Sequence, residues 1–236
     1  MKIIGIIPAR MESSRLPGKP LIDIGNKSMI RRVYESVVDS KLFDKILVAT
    51  PNKEIFDHVN DFGEVIMTSN NPINGTERVH EAYQKVNEDY DFIVNIQGDE
   101  PFIKKEQLSD IISICNKSNQ ICTLIKKEKY SEALERKSVM KVVINKNNEA
   151  MYFSRSLIPH QNIKKNYFKH ICIYAYDPLT LKTLISLPPS SLEISESLEQ
   201  LRWLENGFKI KVEITNSDSF SIDTKEDLIL AENYIN

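Results

Sequence analysis

Short apolar runs alternate with amphipathic stretches along the first half of the chain. Each run has the length of a buried strand, and each amphipathic stretch places apolar residues at the spacing of one helical face. In the stretch 29–40, for example, Ile30, Val33 and Val37 fall on one side of a helix. The predicted strands are 2–8, 45–49, 64–67 and 91–96, and the predicted helices are 29–40, 53–62, 76–88 and 105–117. This alternation predicts an α/β fold with a mainly parallel sheet and right-handed crossovers.

After about residue 120 the pattern changes to closely spaced strands. Gly207 follows the longest amphipathic stretch as a helix C-cap, and Thr224 with Asp227 resembles a capping box at the start of the last helix. The predicted strands are 120–126, 139–144, 150–153, 170–176 and 209–214, and the predicted helices are 192–206 and 224–235. Since no linker or repeat interrupts the chain, we predict a single domain, 1–236, with an inserted antiparallel region at about 120–190.

Composition and charge exclude several classes of protein. The 236 residues are 41% hydrophobic and 27% charged, as in ordinary globular chains, and the formal net charge of -2 argues against a surface built to bind nucleic acid. No apolar run approaches the ~18 residues of a membrane-spanning helix, and the N-terminal run lacks the features of a signal peptide. The three cysteines lack metal-site spacing and are typical of buried thiols in a reducing cytoplasm.

The loop after the first strand carries three cations. It reads IPARMESSRLPGKPL and contains Arg10, Arg15 and Lys19. Ligands of open α/β sheets bind beyond the carboxyl ends of the strands, where cations and backbone amides suit a polyanion such as a triphosphate. The loop matches neither a Walker P-loop nor a G-x-G-x-x-G turn. From its charge alone it is either a phosphate site or an exposed basic loop.

Two further strand ends carry carboxylates. Asp99 and Glu100 follow the strand in VNIQGDEPFI, and Asp223 lies between an apolar residue and a helix start in SIDTKEDL. Magnesium prefers one or two carboxylates together with phosphate oxygens, so Asp99 and Asp223 are candidate metal ligands. Taken individually, each acid could equally well shape a turn.

The remaining polar motifs are less specific. In NGTERVHEA, residues Asn74, Thr76 and Arg78 could contact a nucleobase, although helix capping explains the first two equally well. Later in the chain, four polar residues lie in apolar or helical settings, where packing and surface roles are the more common explanation. They are Arg155, His170, Tyr174 and Glu199.

Six stretches, in one order along nearly the whole chain, together resemble the 3-deoxy-manno-octulosonate cytidylyltransferase (CMP-Kdo synthetase) family. They are IPARMESSRLPGKPL, NGTERVHEA, VNIQGDEPFI, YFSRSLIP, LEQLRWLENG and SIDTKEDL. Single motifs among them are shared with the wider group of sugar nucleotidyltransferases, whereas the combination is specific. The resemblance implies a Rossmann-like nucleotidyltransferase domain and a homodimer in which the antiparallel region supplies the contact.

The resemblance also implies an activity: CTP and the sugar acid Kdo give CMP-Kdo and pyrophosphate, with Mg²⁺ as cofactor. The product would feed lipopolysaccharide or capsule assembly in the cytoplasm of a Gram-negative cell. Asp99 and Asp223 would hold the metal, and with Arg10 and Lys19 they form the implied catalytic set. The implied nucleotide-binding residues are Pro8, Ala9, Arg10, Arg15, Lys19, Asn74, Gly75, Thr76, Arg78 and Gln97. The implied sugar-binding residues are Arg155, His170, Tyr174, Glu199 and Gln200.

Three departures from the family pattern concern specificity. The family has H-x-SGTER where this chain reads Pro72, Ile73 and Asn74 before GTER, which affects base or ribose contacts. A glycine of the H-x-G-x-Y motif is replaced by Cys172, which narrows the space beside the sugar. The segment 160–167 is shorter than usual, which changes the outer wall of the expected sugar pocket. The predicted metal and phosphate residues are intact.

Three alternative functions compete with Kdo activation. The first is transfer of CMP to a related acid, such as an 8-amino analogue of Kdo or a nonulosonic acid. The second is a nucleotide-binding regulatory protein without catalysis, for which loss of a metal carboxylate is expected, yet Asp99 and Asp223 are both present. The third is a glycosyltransferase using a sugar nucleotide, which would favour a D-x-D motif that QGDEP does not supply.

Overall fold

The computed structural model of the chain describes residues 1–12, 16–160, 166–218 and 220–235. The chain forms two compact units. The first contains residues 1–108 and the C-terminal stretch from 219 onward, and the second contains residues 109–218. The predicted antiparallel region, about 120–190, falls inside the second unit. Within the described ranges, no helix is long and apolar enough to cross a bilayer.

The first unit is built on four parallel strands. They are β1 (Ile3–Pro8), β2 (Lys45–Thr50), β3 (Val65–Met67) and β4 (Phe92–Asn95), in the spatial order β3-β2-β1-β4. Gly5 of the central strand β1 lies opposite Ile46 on one side and Val94 on the other. The isoleucines of β1 are fully buried or nearly so, as expected for a parallel strand covered on both faces.

Helices follow the strands as the pattern predicts. They are α1 (Met29–Ser40), α2 (Lys53–Asn60), α3 (Gly75–Gln84) and α4 (Lys105–Ser113). The bounds of α1 match the prediction because strong local signals define both ends: Ser28 caps the first turn by accepting from the amide of Arg31, and Lys41 adopts a left-handed conformation at the C-terminus. Both α3 and α4 end four residues before their predicted ends.

The second unit combines antiparallel and parallel pairing. Its strands are β5 (Ile121–Lys129), β6 (Lys141–Ile144), β7 (Ala150–Ser154), β8 (Asn166–Tyr176) and β9 (Lys211–Thr215). β5 pairs antiparallel with β8 and parallel with β9, while β6 pairs antiparallel with β7 and β8. The structure thus has the predicted α/β class, with mainly parallel pairing in the first unit and antiparallel strands in the second.

The helices of the second unit differ from the prediction. They are α5 (Pro178–Ser186), which was not predicted, α6 (Ser191–Glu196) and α7 (Gln200–Glu205). The predicted helix 192–206 is therefore wrong, since Ser197 adopts a left-handed conformation with φ of 52° between α6 and α7. The side chain of Arg155 donates to the carbonyl of Glu196 over 2.8 Å, so this carbonyl has a partner outside the helix. The C-terminal helix α8 (Lys225–Ile235) belongs to the first unit.

Candidate active site

Two loops of the first unit leave the same edge of its sheet, because β1 and β4 are neighbouring parallel strands. Ile6 lies opposite Asn95, and the amide of Ile96 donates to the carbonyl of Ile6 over 3.0 Å. The loop that follows Pro8 and the loop that follows Asn95 therefore begin side by side. Ligands of open α/β sheets bind at this edge.

The two loops touch at Gly98, where the backbones leave no space for a side chain. A β-carbon at this position would lie 2.8 Å from the carbonyl oxygen of Pro8, which is closer than such atoms approach in proteins. Since the obstacle is a backbone atom, a small side-chain movement cannot relieve it. A glycine is therefore required for the loops to meet as they do.

Lys19 joins the two carboxylates that were predicted to bind metal. Its Nζ atom donates to Oδ2 of Asp99 over 2.7 Å and to Oδ1 of Asp223 over 2.9 Å. The Lys19 side chain is only 11% exposed, whereas those of Asp99 and Asp223 are 34% and 28% exposed. The predicted catalytic residues Lys19, Asp99 and Asp223 thus form one cluster, which we call the carboxylate–lysine cluster.

The position of Asp223 depends on the start of helix α8. The amide of the buried Ile222 donates to the carbonyl of Asp99 over 3.0 Å, which ties the two carboxylate-bearing segments together. Asp227 accepts from the amides of Asp223 and Thr224, and the Thr224 hydroxyl accepts from the amide of Asp227. This reciprocal arrangement confirms the predicted capping pair and fixes the backbone of Asp223.

The charges of the cluster stabilise one another. Burial alone would lower the pKa of Lys19, but the nearby carboxylates of Asp99 and Asp223 outweigh it, and the net effect is a raised pKa. Lys19 is therefore a cation at neutral pH. Because two carboxylates already share one cationic group, and because their oxygen atoms are hard ligands, the pair has the chemistry of a magnesium site.

The cluster faces an open cavity of about 280 Å³. Two cations and three carboxylates contribute to its lining, so the cavity is suited to a polyanion accompanied by a cation. The lining residues are Pro8, Ala9, Arg10, Glu12, Lys19, Pro20, Gln97, Gly98, Asp99 and Asp223. This set includes most of the implied phosphate and metal residues, while Arg15 lies outside the described residues.

The predicted base-side residues lie close to this cavity. A β-carbon on Gly75 would be 3.3 Å from Cγ of Pro8 and 3.9 Å from Oε1 of Gln97, both of which line the cavity. Asn74 caps α3, since its side chain accepts from the amide of Glu77 over 2.9 Å. Its neighbour Thr76 is buried. The helix-capping interpretation of Asn74 is thus realised in the structure.

Arg78 is buried and its guanidinium supports a neighbouring loop. It donates to the hydroxyl of Thr68 over 2.6 Å and to the carbonyl of Ser69 over 3.1 Å, and more weakly to the carbonyl of Pro72. Burial and, to a lesser extent, the charge of Arg10 lower the pKa of Arg78. These contacts stabilise the loop before α3, and a direct contact of Arg78 with a nucleotide stays a prediction.

All five predicted sugar-binding residues belong to the second unit. Arg155, at the end of β7, directs three guanidinium nitrogens to backbone carbonyls: those of Glu196 at 2.8 Å, Lys137 at 2.9 Å and Ser197 at 3.1 Å. Its amide also donates to the carboxylate of Glu196. In this structure, therefore, Arg155 holds the turn between α6 and α7.

His170 lies in an aromatic environment within the second unit. Its Nε2 atom is 2.9 Å from the hydroxyl of Thr123, and its ring packs against Phe153 and Tyr174 at centroid distances of 5.0 and 5.3 Å. The sulfur of Cys172 is 3.8 Å from Nδ1 of His170. Burial lowers the pKa of His170 to about 3, so the ring is neutral at physiological pH.

The free energy of unfolding should fall as the pH drops below about 6.5. Between that pH and about 3, the value for folded His170, the unfolded chain binds a proton that the folded chain excludes, so acid favours unfolding. The slope from this group reaches ~1.4 kcal/mol per pH unit. Urea titrations of the wild type and His170→Gln at several pH values measure it. His160→Gln, at an exposed position, is the matched control, and an unchanged slope in His170→Gln would contradict the assignment.

Gln200 and its neighbourhood contain buried polar atoms that lack partners. Within the part of the chain that the structure describes, Nε2 of Gln200 and Nε1 of Trp203 have no hydrogen-bond acceptor. The Trp203 ring packs edge-on against Tyr174 at 5.2 Å. Glu199 immediately precedes α7, and Gln200 begins it. Tyr174 thus belongs to an aromatic cluster with Trp203, and within the described residues Gln200 and Trp203 each have a buried donor without an acceptor.

Three polar residues near the predicted sites are not identified by the sequence analysis. Glu12 lines the cavity, and its position within the basic loop was a visible signal. Lys141 is fully buried on β6 and donates to the carbonyls of Val139 and Arg155. A single lysine within an apolar strand could have indicated this buried role. Glu196 accepts from Ser154 and Arg155, which are over 40 positions away, and no local pattern indicates this.

Comparisons with known proteins agree on one family. A family model described as cytidylyltransferase matches residues 4–212. The 3-deoxy-manno-octulosonate cytidylyltransferase of Parabacteroides distasonis is 52% identical, with 97% of this chain and 96% of the relative covered. The protein of the same name from Phocaeicola vulgatus is 50% identical, with 100% and 98% covered. A solved structure of CMP:2-keto-3-deoxy-manno-octonic acid synthetase complexed with CTP gives a TM-score of 0.93 at 36% identity, covering 100% of this chain and 98% of its own.

Proposed function

Since this chain belongs to the 3-deoxy-manno-octulosonate cytidylyltransferase family, we propose that it makes CMP-Kdo and pyrophosphate from CTP and Kdo. The observation that carries the proposal is the carboxylate–lysine cluster that lines the cavity beyond β1 and β4. It combines cationic groups for a triphosphate with two carboxylates for a metal ion. Retention of both carboxylates argues against a regulatory protein without catalysis.

In the proposed reaction the C2 hydroxyl oxygen of Kdo forms a bond to the α-phosphorus of CTP. The bond from that phosphorus to the pyrophosphate oxygen breaks, pyrophosphate leaves with the bonding electron pair, and the hydroxyl proton passes to water. Transfer of this kind requires positioning and charge neutralisation rather than a covalent intermediate on the protein. Arg10 and Lys19 line the cavity and would neutralise the departing pyrophosphate, with Arg15 of the same loop in the implied set.

We propose that Asp99 and Asp223 hold Mg²⁺ during the reaction. Bound there, the ion would neutralise the α-phosphate and make the phosphorus more electrophilic. Both carboxylates bind one ammonium group, that of Lys19, so the space between them accommodates a cation. This arrangement supports their assignment as metal ligands. Pro8, Ala9 and Gln97 would contact the nucleotide from the two strand ends.

On the sugar side we propose that Arg155, His170, Tyr174, Glu199 and Gln200 contribute to recognition of the acid. The spare donor of Gln200 supports this role, since a sugar hydroxyl or carboxylate could accept from it. A related 3-deoxy-ulosonic acid remains the second candidate substrate, favoured by one observation. Cys172 replaces the expected glycine, and its sulfur lies 3.8 Å from the predicted sugar residue His170.

The test is release of pyrophosphate from CTP with a panel of acids: Kdo, its 8-amino analogue and a nonulosonic acid, each with and without Mg²⁺. We expect turnover with Kdo that requires the metal. Turnover with another acid and none with Kdo would overturn the substrate assignment, while release without any acid would indicate a different reaction. Turnover in EDTA would contradict the metal proposal alone.

We also propose that the protein is a cytoplasmic homodimer that supplies lipopolysaccharide or capsule synthesis. Within the described residues the three cysteines form no disulfide, which suits a reducing compartment. Met151 and Ile194 of the second unit are 61% and 69% exposed and are available for contact with a second copy. Light scattering of the purified protein tests the oligomeric state, and a monomer at micromolar concentration would contradict it.

Replacing Gly98 with alanine should lower kcat/KM for CTP by about 100-fold, the effect of a displacement of ~1 Å at a reacting centre. The added β-carbon would collide with the carbonyl of Pro8 and separate the two loops that line the cavity. Gly207→Ala is the matched control. Because Gly207 has a φ of 80°, alanine is strained there and should lower the stability by ~1 kcal/mol. Gly207 lies in the second unit, beyond α7, so the cavity residues should be unaffected. Equal kcat/KM values in the two variants would refute the prediction.

A further inference from the structure

Lys19 occupies an unexpected place for a residue predicted to bind phosphate. Its ammonium group lies between the two predicted metal ligands, 2.7 Å from Asp99 and 2.9 Å from Asp223. The side chain is largely buried there, so it is not a freely moving surface lysine. Both of its ion-pair partners line the same cavity as Lys19. The predicted phosphate and metal roles therefore involve the same few atoms.

We propose that Lys19 is an internal counter-ion that keeps the metal position closed until nucleotide phosphates draw its ammonium away from Asp99 and Asp223. This inference rests on the proposed function, because it takes the two aspartates as the metal ligands and the cavity as the triphosphate site. It assigns Lys19 two successive partners, carboxylates in the free protein and phosphate oxygens in the complex. Metal and nucleotide would then bind cooperatively rather than independently.

The Lys19 ammonium and a divalent metal ion compete for the same two carboxylates, those of Asp99 and Asp223. Two neighbouring carboxylates repel each other unless a cation lies between them, and Lys19 supplies that charge in the free protein. A divalent ion placed beside the ammonium would meet strong repulsion at such short distances, and this repulsion is little screened in a partly buried site. The metal therefore binds well only if the ammonium leaves.

The structure also offers the ammonium an alternative position. Lys19 has a long, flexible side chain, and the adjoining cavity is lined by Arg10 as well, so phosphate oxygens in the cavity would be within reach of both cations. Its backbone is held in a helical turn, in which the amide of Leu21 donates to Gly18 and that of Ile22 donates to Lys19. Only the side chain needs to move.

Metal binding and nucleotide binding are thermodynamically linked in this proposal, and the linkage can be measured. When nucleotide phosphates bind the Lys19 ammonium, Asp99 and Asp223 become available to the metal, so the nucleotide raises the affinity for the metal. By reciprocity the metal raises the affinity for the nucleotide by the same factor. Removing the ammonium should abolish this coupling. A variant without the lysine charge would accept a divalent ion in the absence of nucleotide, as long as both carboxylates remain.

The test measures Mn²⁺ binding by electron paramagnetic resonance of the free ion, without substrate. We expect Lys19→Met to bind Mn²⁺ at least tenfold more tightly than the wild type, with Lys19→Gln as a second variant should Lys19→Met fold poorly. Lys53→Met, which removes an exposed lysine of α2, is the matched control and should not change the affinity. Equal affinity in the wild type and both Lys19 variants would overturn the proposal.

Two further arms separate this proposal from the proposed function. Adding Asp99→Asn to Lys19→Met should remove the gained Mn²⁺ affinity; if it does not, the ion binds elsewhere and the metal assignment itself fails. A nonreactive α,β-methylene analogue of CTP should strengthen Mn²⁺ binding at least fivefold more in the wild type than in Lys19→Met, after correction for the ion's binding to the free analogue. Equal strengthening in both proteins would overturn the counter-ion role while leaving the metal site intact.

Discussion

Replacing Asp99 with asparagine should lower kcat by about 10³-fold, the scale on which loss of one charge-stabilising group slows catalysis. Asparagine keeps the size of the side chain and an acceptor for Lys19 but removes the negative charge that a magnesium ion needs. The fold should persist, because the side chain is one-third exposed and the contact from Ile222 uses only the Asp99 backbone.

Pyrophosphate release under saturating CTP and Kdo measures this effect, and circular dichroism verifies the fold. The matched control is Asp57→Asn, the same change at an exposed residue of α2 whose carboxylate pairs with Lys53. We expect wild-type turnover in the control. If Asp99→Asn keeps kcat within tenfold of the wild type, its carboxylate is not a metal ligand in the reacting complex.

Replacing Arg202 with methionine should lower the free energy of unfolding by ~3–5 kcal/mol, as expected when one partner of a buried ion pair is removed. Its Nε atom donates to Oε2 of Glu193 over 2.7 Å, Nη2 donates to the other carboxylate oxygen, and Nη1 donates to the carbonyl of Leu187. The two side chains are 5% and 16% exposed. Burial alone would raise the pKa of Glu193, but the Arg202 guanidinium and the amide of Ser190 together outweigh it, and the pKa is lowered.

Urea unfolding at neutral pH measures the loss. Lys53→Met breaks an exposed helical ion pair and should lose only ~0.3–0.5 kcal/mol. The double variant Arg202→Met with Glu193→Met should recover part of the stability, since no uncompensated charge then remains buried. A loss below ~1 kcal/mol in Arg202→Met would show that the pair contributes little.

The sequence was most informative where local signals define both ends of an element. The cap at Ser28 and the apolar stripe that includes Ile30 and Val33 define α1 completely. The predicted single helix is wrong at Ser197, because the side chain that binds the carbonyl of Glu196 at the end of α6 belongs to Arg155, 41 positions away. Periodicity within one segment carries no information on such a distant donor.

The same distinction applies to the candidate site. Strand ends and family motifs identified Lys19, Asp99 and Asp223, and the structure brings all three together. The sequence assigned Lys19 to phosphate and the aspartates to metal, and it did not predict that they pair with each other. Arg78 illustrates the opposite case: a polar residue of a recognisable motif has its donors directed at its own neighbouring loop.

The distance along the chain between Lys19 and Asp223, 204 positions, has a consequence for protein synthesis. The loop that carries Lys19 is synthesised before Asp223, which is added 204 residues later. A truncated polypeptide that stops before this residue lacks one of the two carboxylates, however well its first strands fold. We expect such incomplete chains to lack the proposed metal site and therefore not to turn over CTP.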